Sequence, residues 1–214
     1  MSTPPAEPLD VRSGYDLWAP GYDQAPNRTR DAAMARFRTW TDRFRNARVL
    51  ELGCGTGLNT EHLADHARAV VALDFSEAML ERAKSRLHGR GVEFLSRDLA
   101  LGLPFADANF DVVVETLVLE HLPELGPLFA EAARVLRPGG RLLLAELHPY
   151  RQLLGRQARI ETADGEATLI RAFTRSVSDF VGAGLGAGFT LKAMTEDFDP
   201  SGEPRLLGLE FRLP

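Results

Sequence analysis

The chain has 214 residues, 44% of them hydrophobic, a formal net charge of -5 and a single cysteine. That length and apolar share suffice for one sizeable core, while the acidic balance argues against nucleic acid as the main partner, because phosphate binding needs a basic surface. Cys54 cannot close an internal disulfide and no Cys/His cluster suggests a metal, so the chain reads as metal-free and suited to a reducing compartment.

Residues 1–12, opening "MSTPPAEPLD", are proline-rich and polar and are expected to form a disordered tail. They carry no basic start and no apolar signal core, and no later segment approaches the roughly 18 apolar residues that span a bilayer. A cytoplasmic protein with no membrane partner is therefore expected, as one domain over residues 13–214. Order is expected to begin near "YDLWAPGYD", where Tyr15, Trp18 and Tyr22 recur at helical spacing. From Asp31 to Arg45, Met34, Phe37, Trp40 and Phe44 form one stripe of an amphipathic helix. Residues 13–46 thus read as N-terminal helices.

The period then changes. "VLELG" is a short, nearly all-apolar strand, "LNTEHLADHA" a helix, "AVVALD" a strand, and "SEAMLERAKSRLHGRG" a helix capped by Ser76. "VEFLSRD" and "FDVVVETL" are strands, "ELGPLFAEAARVL" is a helix ended by an "RPGG" turn, and "RLLLAELH" is a fifth core strand. Residues 149–175 are mixed and polar. A glycine-rich helix, "SVSDFVGAGLGAGF", precedes two candidate strands, "TLKAMTEDF" and "PRLLGLEFRL". Strands apolar on both faces and alternating with helices imply a doubly wound α/β domain, Rossmann-like, with a seven-stranded, mostly parallel sheet and an antiparallel last strand.

The first strand runs into "GCGTG". Glycines there let backbone approach a ligand and adopt positive φ. A dinucleotide fingerprint, G-x-G-x-x-G, would place its third glycine where Leu58 stands, which weakens a pyrophosphate reading. Asp74 ends the second strand about twenty residues on, where a carboxylate can accept from ribose hydroxyls. Asp98, followed by Leu99, ends the third. Each aspartate alone reads equally as a loop residue or helix cap. Three successive strand ends point to a nucleoside ligand.

"VLELGCGTG", "VVALDFSEAML", "SRDLALGLPFADANFDVVVETLVLEHL" and "EAARVLRPGGRLLLAE" resemble, in order and spacing, the class I S-adenosylmethionine-dependent methyltransferases. The likeness is to the small-molecule branch that includes ubiquinone/menaquinone-type and malonyl-carrier methyltransferases. The resemblance implies S-adenosylmethionine as cofactor, with Gly53, Cys54 and Gly55 beside its methionine and ribose portions and Asp74 on the ribose. It implies Phe75 and Met79 over the adenine, Asp98 and Leu99 at the adenine edge, and Thr116 and Val118 at the methionine end. Tyr15, Tyr22 and Arg30 would lid it, and Glu51, Asn59 and Ser76 complete the expected set.

His121 and His148 follow the fourth and fifth strands and are candidate catalytic bases, beside a plain structural reading for each. Tyr150, Arg151, Gln152, Arg156, Arg159 and Arg171 make residues 149–175 basic. This substrate-side insertion motivates an anionic small-molecule acceptor, or else a solvated basic face. A monomer or homodimer is expected. A non-catalytic sensor of the same cofactor and an NAD-binding oxidoreductase are the alternative readings.

Overall fold

The computed structural model describes residues 7–161 and 167–214. Helix α1 (Val11–Trp18) starts where Asp10 accepts a hydrogen bond from the Ser13 amide, and a 3-10 turn over Ala19–Gly21 ends it at Pro20. Order therefore begins before Tyr15. Residues 7–12 of the expected tail are placed, because Leu9 bridges to Ile170, while residues 1–6 lie outside the described residues. Helix α2 (Arg28–Arg38) is capped by Asn27. The expected continuous helix to Arg45 is broken before α3 (Thr41–Phe44). The cause is local: the Thr39 and Thr41 hydroxyls donate to the Arg36 and Arg38 carbonyls and compete with the helical ladder.

Strand β1 (Arg48–Leu52), α4 (Leu58–His66), β2 (Ala69–Asp74), α5 (Glu77–Arg86), β3 (Val92–Ser96), β4 (Phe110–Thr116), α6 (Gly126–Val135) and β5 (Leu136–Leu147) follow the expected alternation. The "RPGG" stretch belongs to β5, which begins at the pair Phe110–Leu136 and passes an irregularity in register before Val112–Arg141. After α7 (Pro149–Leu153), β6 (Arg159–Glu161) and β7 (Ala167–Leu169) pair as a small antiparallel sheet. Helix α8 (Val177–Gly186) opens with a Ser176–Asp179 capping box. Strands β8 (Thr190–Phe198) and β9 (Pro204–Arg212) close the chain.

The seven-stranded sheet has the order β3-β2-β1-β4-β5-β9-β8. β9 runs antiparallel to β5 and to β8. Because strand side chains alternate, neighbours feed opposite faces. Leu50, Val113 and Leu144 pack in one cluster with Phe129 of α6 and Phe180 of α8. Val49, Val112 and Leu143 pack in the other with Phe37, Phe44 and Leu63. The order reverses between β2-β1 and β4, and a crevice opens at the carboxyl ends of these strands, where ligands bind in such sheets.

A methyl added at Gly184 of α8 would stand 2.4 Å from Cε1 of Phe211, whereas one at Gly182 meets nothing within 4 Å. Gly184→Ala is expected to lower stability by about 1–3 kcal/mol through overpacking, and Gly182→Ala to raise it by up to about 1 kcal/mol through helix propensity. Urea midpoints of the two variants measure this.

Candidate active site

The glycine loop after β1 owes its shape to three left-handed residues, Gly53, Gly55 and Gly57, with φ of 69, 54 and 84°. A methyl at Gly53 would fall 2.3 Å from Val118 Cγ2, whereas one at Gly55 would meet nothing within 4 Å. The first position is closed by the loop after β4; the second leaves bare backbone facing space. Asp74, at the end of β2, accepts from the Gly55 amide at 2.8 Å with one oxygen and from the Ser76 amide at 2.9 Å with the other. Burial raises its pKa, and these N–H donors counter the rise.

Between these elements lies a cavity of about 380 Å³. Tyr15, Tyr22, Gly53, Gly55, Asp74, Phe75, Met79, Asp98, Leu99, Thr116, Val118 and His121 all line it. Val11, Arg12, Arg97, Leu117 and Leu122 line it as well. The Arg12 guanidinium lies 5.2 Å above the Phe75 ring. A small adjoining cavity takes Arg30, Glu51, Cys54 and Asn59 together with Tyr22, Gly53, Gly55 and Thr116. The contents fit a nucleoside joined to an amino acid: Asp74 for ribose hydroxyls, Phe75, Met79 and Leu99 as apolar walls for a base, and open backbone at Gly55. The Thr116 hydroxyl is buried there without a partner among the described residues.

The cover is built by α1 and the turn after it. The Ser76 hydroxyl donates to Asp16 at 2.5 Å, the Thr56 hydroxyl donates to Asp23 at 2.6 Å, and Arg86 pairs with Asp23 at 2.5 Å. Tyr15 sits beneath. Its hydroxyl lies 2.9 Å from His121 Nε2, and Nδ1 of that ring lies 2.7 Å from the Arg171 carbonyl. A carbonyl only accepts, so Nδ1 carries the proton and Nε2 accepts from Tyr15. Burial lowers the His121 pKa and raises that of Tyr15.

A second cavity, of about 390 Å³, shares Tyr15, Tyr22 and Leu117 with the first. Arg28, Arg151, Arg156, Arg159 and Arg205 and the buried carboxyl of Glu120 also line it. Glu120 is pushed up to about 7 by burial and then by Glu146. Gln152 donates to one of its oxygens at 3.2 Å, and the other lies 3.8 Å from His121 Nε2.

A family model described as a methyltransferase domain matches residues 50–144. The demethylmenaquinone methyltransferase of Thermobifida fusca is 33% identical over 164 residues, covering 70% of this chain and 68% of that protein. The chain belongs to the S-adenosylmethionine-dependent methyltransferases. The protein of the same name from Renibacterium salmoninarum is 38% identical over 151 residues, and there the chain spans 61% of the relative's length. A solved structure described as a DhpI–SAH complex is 27% identical, with a TM-score of 0.72 over 95% of each chain. Membership in this family makes S-adenosylmethionine the cofactor. Among the described residues no helix of this methyltransferase is long and apolar enough to cross a membrane.

Two expected site residues stand outside all three cavities. Ser76 is buried and acts through its neighbours: its hydroxyl caps α5 by accepting from the Met79 amide at 3.1 Å. His148 accepts from the Tyr150 amide at Nδ1 and lies 2.8 Å from Glu196 at Nε2, so both ring nitrogens are committed to structure. Its geometry places no base at the cleft. Cys54 is a buried thiol whose pKa burial pushes up, which denies it thiolate chemistry. Glu51 accepts from the Thr60 hydroxyl at 2.6 Å and is pushed up to about 8 by burial. The sequence reading passed over Glu115, Glu120 and Glu146. Glu115 and Glu146 stand at the carboxyl ends of apolar strands, and Glu120 in the short apolar turn after β4, where no solvated role suits them.

Gly53→Ala combines a disfavoured φ with the collision against Val118. It is expected to weaken S-adenosylhomocysteine binding by at least about tenfold, the equivalent of about 1–3 kcal/mol of backbone strain. Isothermal calorimetry reads the change.

Proposed function

We propose that this protein transfers a methyl group from S-adenosylmethionine to a small-molecule acceptor held in the second cavity. The observation that carries the proposal is that the two cavities share Tyr15, Tyr22 and Leu117 as lining residues, which sets an acceptor in one beside a cofactor in the other. The bound cofactor supplies an electrophilic methyl group on a sulfonium, so the protein's main work is positioning and the exclusion of water. The α1 cover, tied down through Asp16 and Asp23, does the latter. In this reading it acts as the lid together with α7 and the segment that follows it to Arg159.

The proton of an acceptor hydroxyl or amine leaves through Tyr15. As Tyr15 takes it, the phenolic proton moves to His121 Nε2, and the Glu120 carboxylate 3.8 Å away stabilises the resulting imidazolium. His121 is thus the base in this proposal, working through Tyr15. The arginine-rich wall favours an acceptor that also carries an acid group. Arg151 and Arg205 already hold Asp199 at 3.2 and 2.5 Å, which leaves Arg156, exposed on the wall, as the main contact for that group. The demethylmenaquinone methyltransferases named above make a quinone-type ring one candidate among such acceptors.

Purified protein incubated with S-adenosylmethionine and a fractionated metabolite pool is expected to release S-adenosylhomocysteine above the acceptor-free blank; a rate equal to the blank contradicts methyl transfer. On the acceptor so found, Tyr15→Phe is expected to lower turnover about 10- to 100-fold, the usual range for a lost proton path. Arg156→Ala is expected to raise KM with little change in kcat. Glu120 is ionised above about pH 7 and neutral below it, so turnover is expected to fall as pH drops through about 7.

A further inference from the structure

The loop after β4 touches all three cavities through Leu117, as the turn after α1 does through Tyr22. Leu117 adopts a left-handed conformation, with φ of 59°. For a branched, non-glycine side chain this is costly and persists only where the surroundings enforce it. The enforcing contacts come from the neighbouring strand. The Leu117 amide donates to the Ala145 carbonyl at 2.9 Å, and the amides of Val118 and Leu119 both donate to Glu146 Oε1, at 2.7 and 2.9 Å.

Glu146 does not stand alone. It is buried, as is Glu115 on the neighbouring strand β4, and Glu115 pairs in register with Leu144, which puts Glu146, two residues on, on the same face of the sheet. Both oxygens of Glu115 and Oε2 of Glu146 are buried with no hydrogen-bond partner among the described residues. Two carboxylates offer only acceptors and repel each other, so these orphan oxygens are satisfied only when one carboxyl carries a proton to donate. Glu146 is the charged member, because it receives the two amide donors. Glu115 is the protonated one.

We propose that Glu115 and Glu146 share a single proton and that this pair is a positioning device: the Glu146 carboxylate holds Leu117 and Val118 in the shape that walls the cofactor cavity. The inference rests on the reading of that cavity as the S-adenosylmethionine site. Loss of the shared proton leaves two adjacent buried anions, with Glu120 beyond β4 and the Tyr15 phenol of α1 as the titratable groups facing them. Repulsion then parts the pair and releases the loop. Burial raises the Glu115 pKa well above the usual carboxylate range, so the device holds below that raised pKa and fails as pH climbs through it.

Calorimetric titration of S-adenosylhomocysteine across pH tests this with no acceptor needed. Wild-type protein is expected to bind with constant affinity around neutrality and to lose at least about tenfold at alkaline pH. Glu115→Gln keeps a donor to Glu146 but has no proton to lose, so it is expected to bind like wild type at pH 7 and to retain that affinity at alkaline pH. Glu146→Leu orphans the two amides and is expected to lose at least about tenfold at pH 7. The Val118 and Leu119 amides of Glu146→Leu, followed by hydrogen exchange, are expected to lose protection selectively, which separates a released loop from global unfolding. Identical alkaline profiles for wild type and Glu115→Gln, or normal affinity in Glu146→Leu, overturn the inference. Wild-type protein that fails to bind S-adenosylhomocysteine at any pH overturns instead the reading of the cavity.

Discussion

Asp74 ends β2 with a buried carboxylate whose two oxygens bond in different directions, one to the Gly55 amide and one to the Ser76 amide. The first contact fixes the glycine loop; the second fixes the start of α5. Through Ser76 the same group reaches α1, because the Ser76 hydroxyl that caps α5 also donates to Asp16. Floor, wall and cover of the cofactor cavity therefore converge on one side chain. Burial works against its charge, and the amides that offset this are the ones whose positions define the cavity.

The two cavities differ in how they are made. The cofactor side is backbone and strand ends, set by the parallel order of β2, β1 and β4. The second cavity is assembled from α1, α7, the paired strands β6 and β7 and the start of β9, which come from distant parts of the chain. Its basic character is partly neutralised within the fold: Asp199 sits among Arg28, Arg151 and Arg205, and Glu203 pairs again with Arg151. A basic composition is therefore a poorer guide to binding than the few cations left on the wall.

Much of the cofactor side was legible in the sequence because its signals are local. Period changes marked the strands, and the spacing of Gly53, Gly55 and Asp74 reports one loop and the next strand end. What was not legible depends on pairings that local spacing cannot encode. Tyr15 and His121 meet across 106 positions. His121 and His148 look alike in sequence, each just beyond an apolar strand, and only the fold commits His148 to the α7 cap and Glu196. The expected helix over residues 31–45 failed for a smaller reason, two threonine hydroxyls that bond back to the backbone. Glu115 and Glu146 escaped notice because a buried carboxyl makes sense only beside the partner that shares its proton.

In the proposed reading Asp74 and the glycine loop form a receptor for a nucleoside sulfonium and not for a dinucleotide. Calorimetry of wild type and Asp74→Ala with S-adenosylhomocysteine and with NAD tests it most directly. The account expects S-adenosylhomocysteine to bind wild-type protein, to lose at least about tenfold in Asp74→Ala as charge-assisted hydrogen bonds disappear, and NAD to leave no heat signal with either. Binding of NAD in preference to S-adenosylhomocysteine, or an Asp74→Ala variant that binds S-adenosylhomocysteine as wild type does, would contradict it.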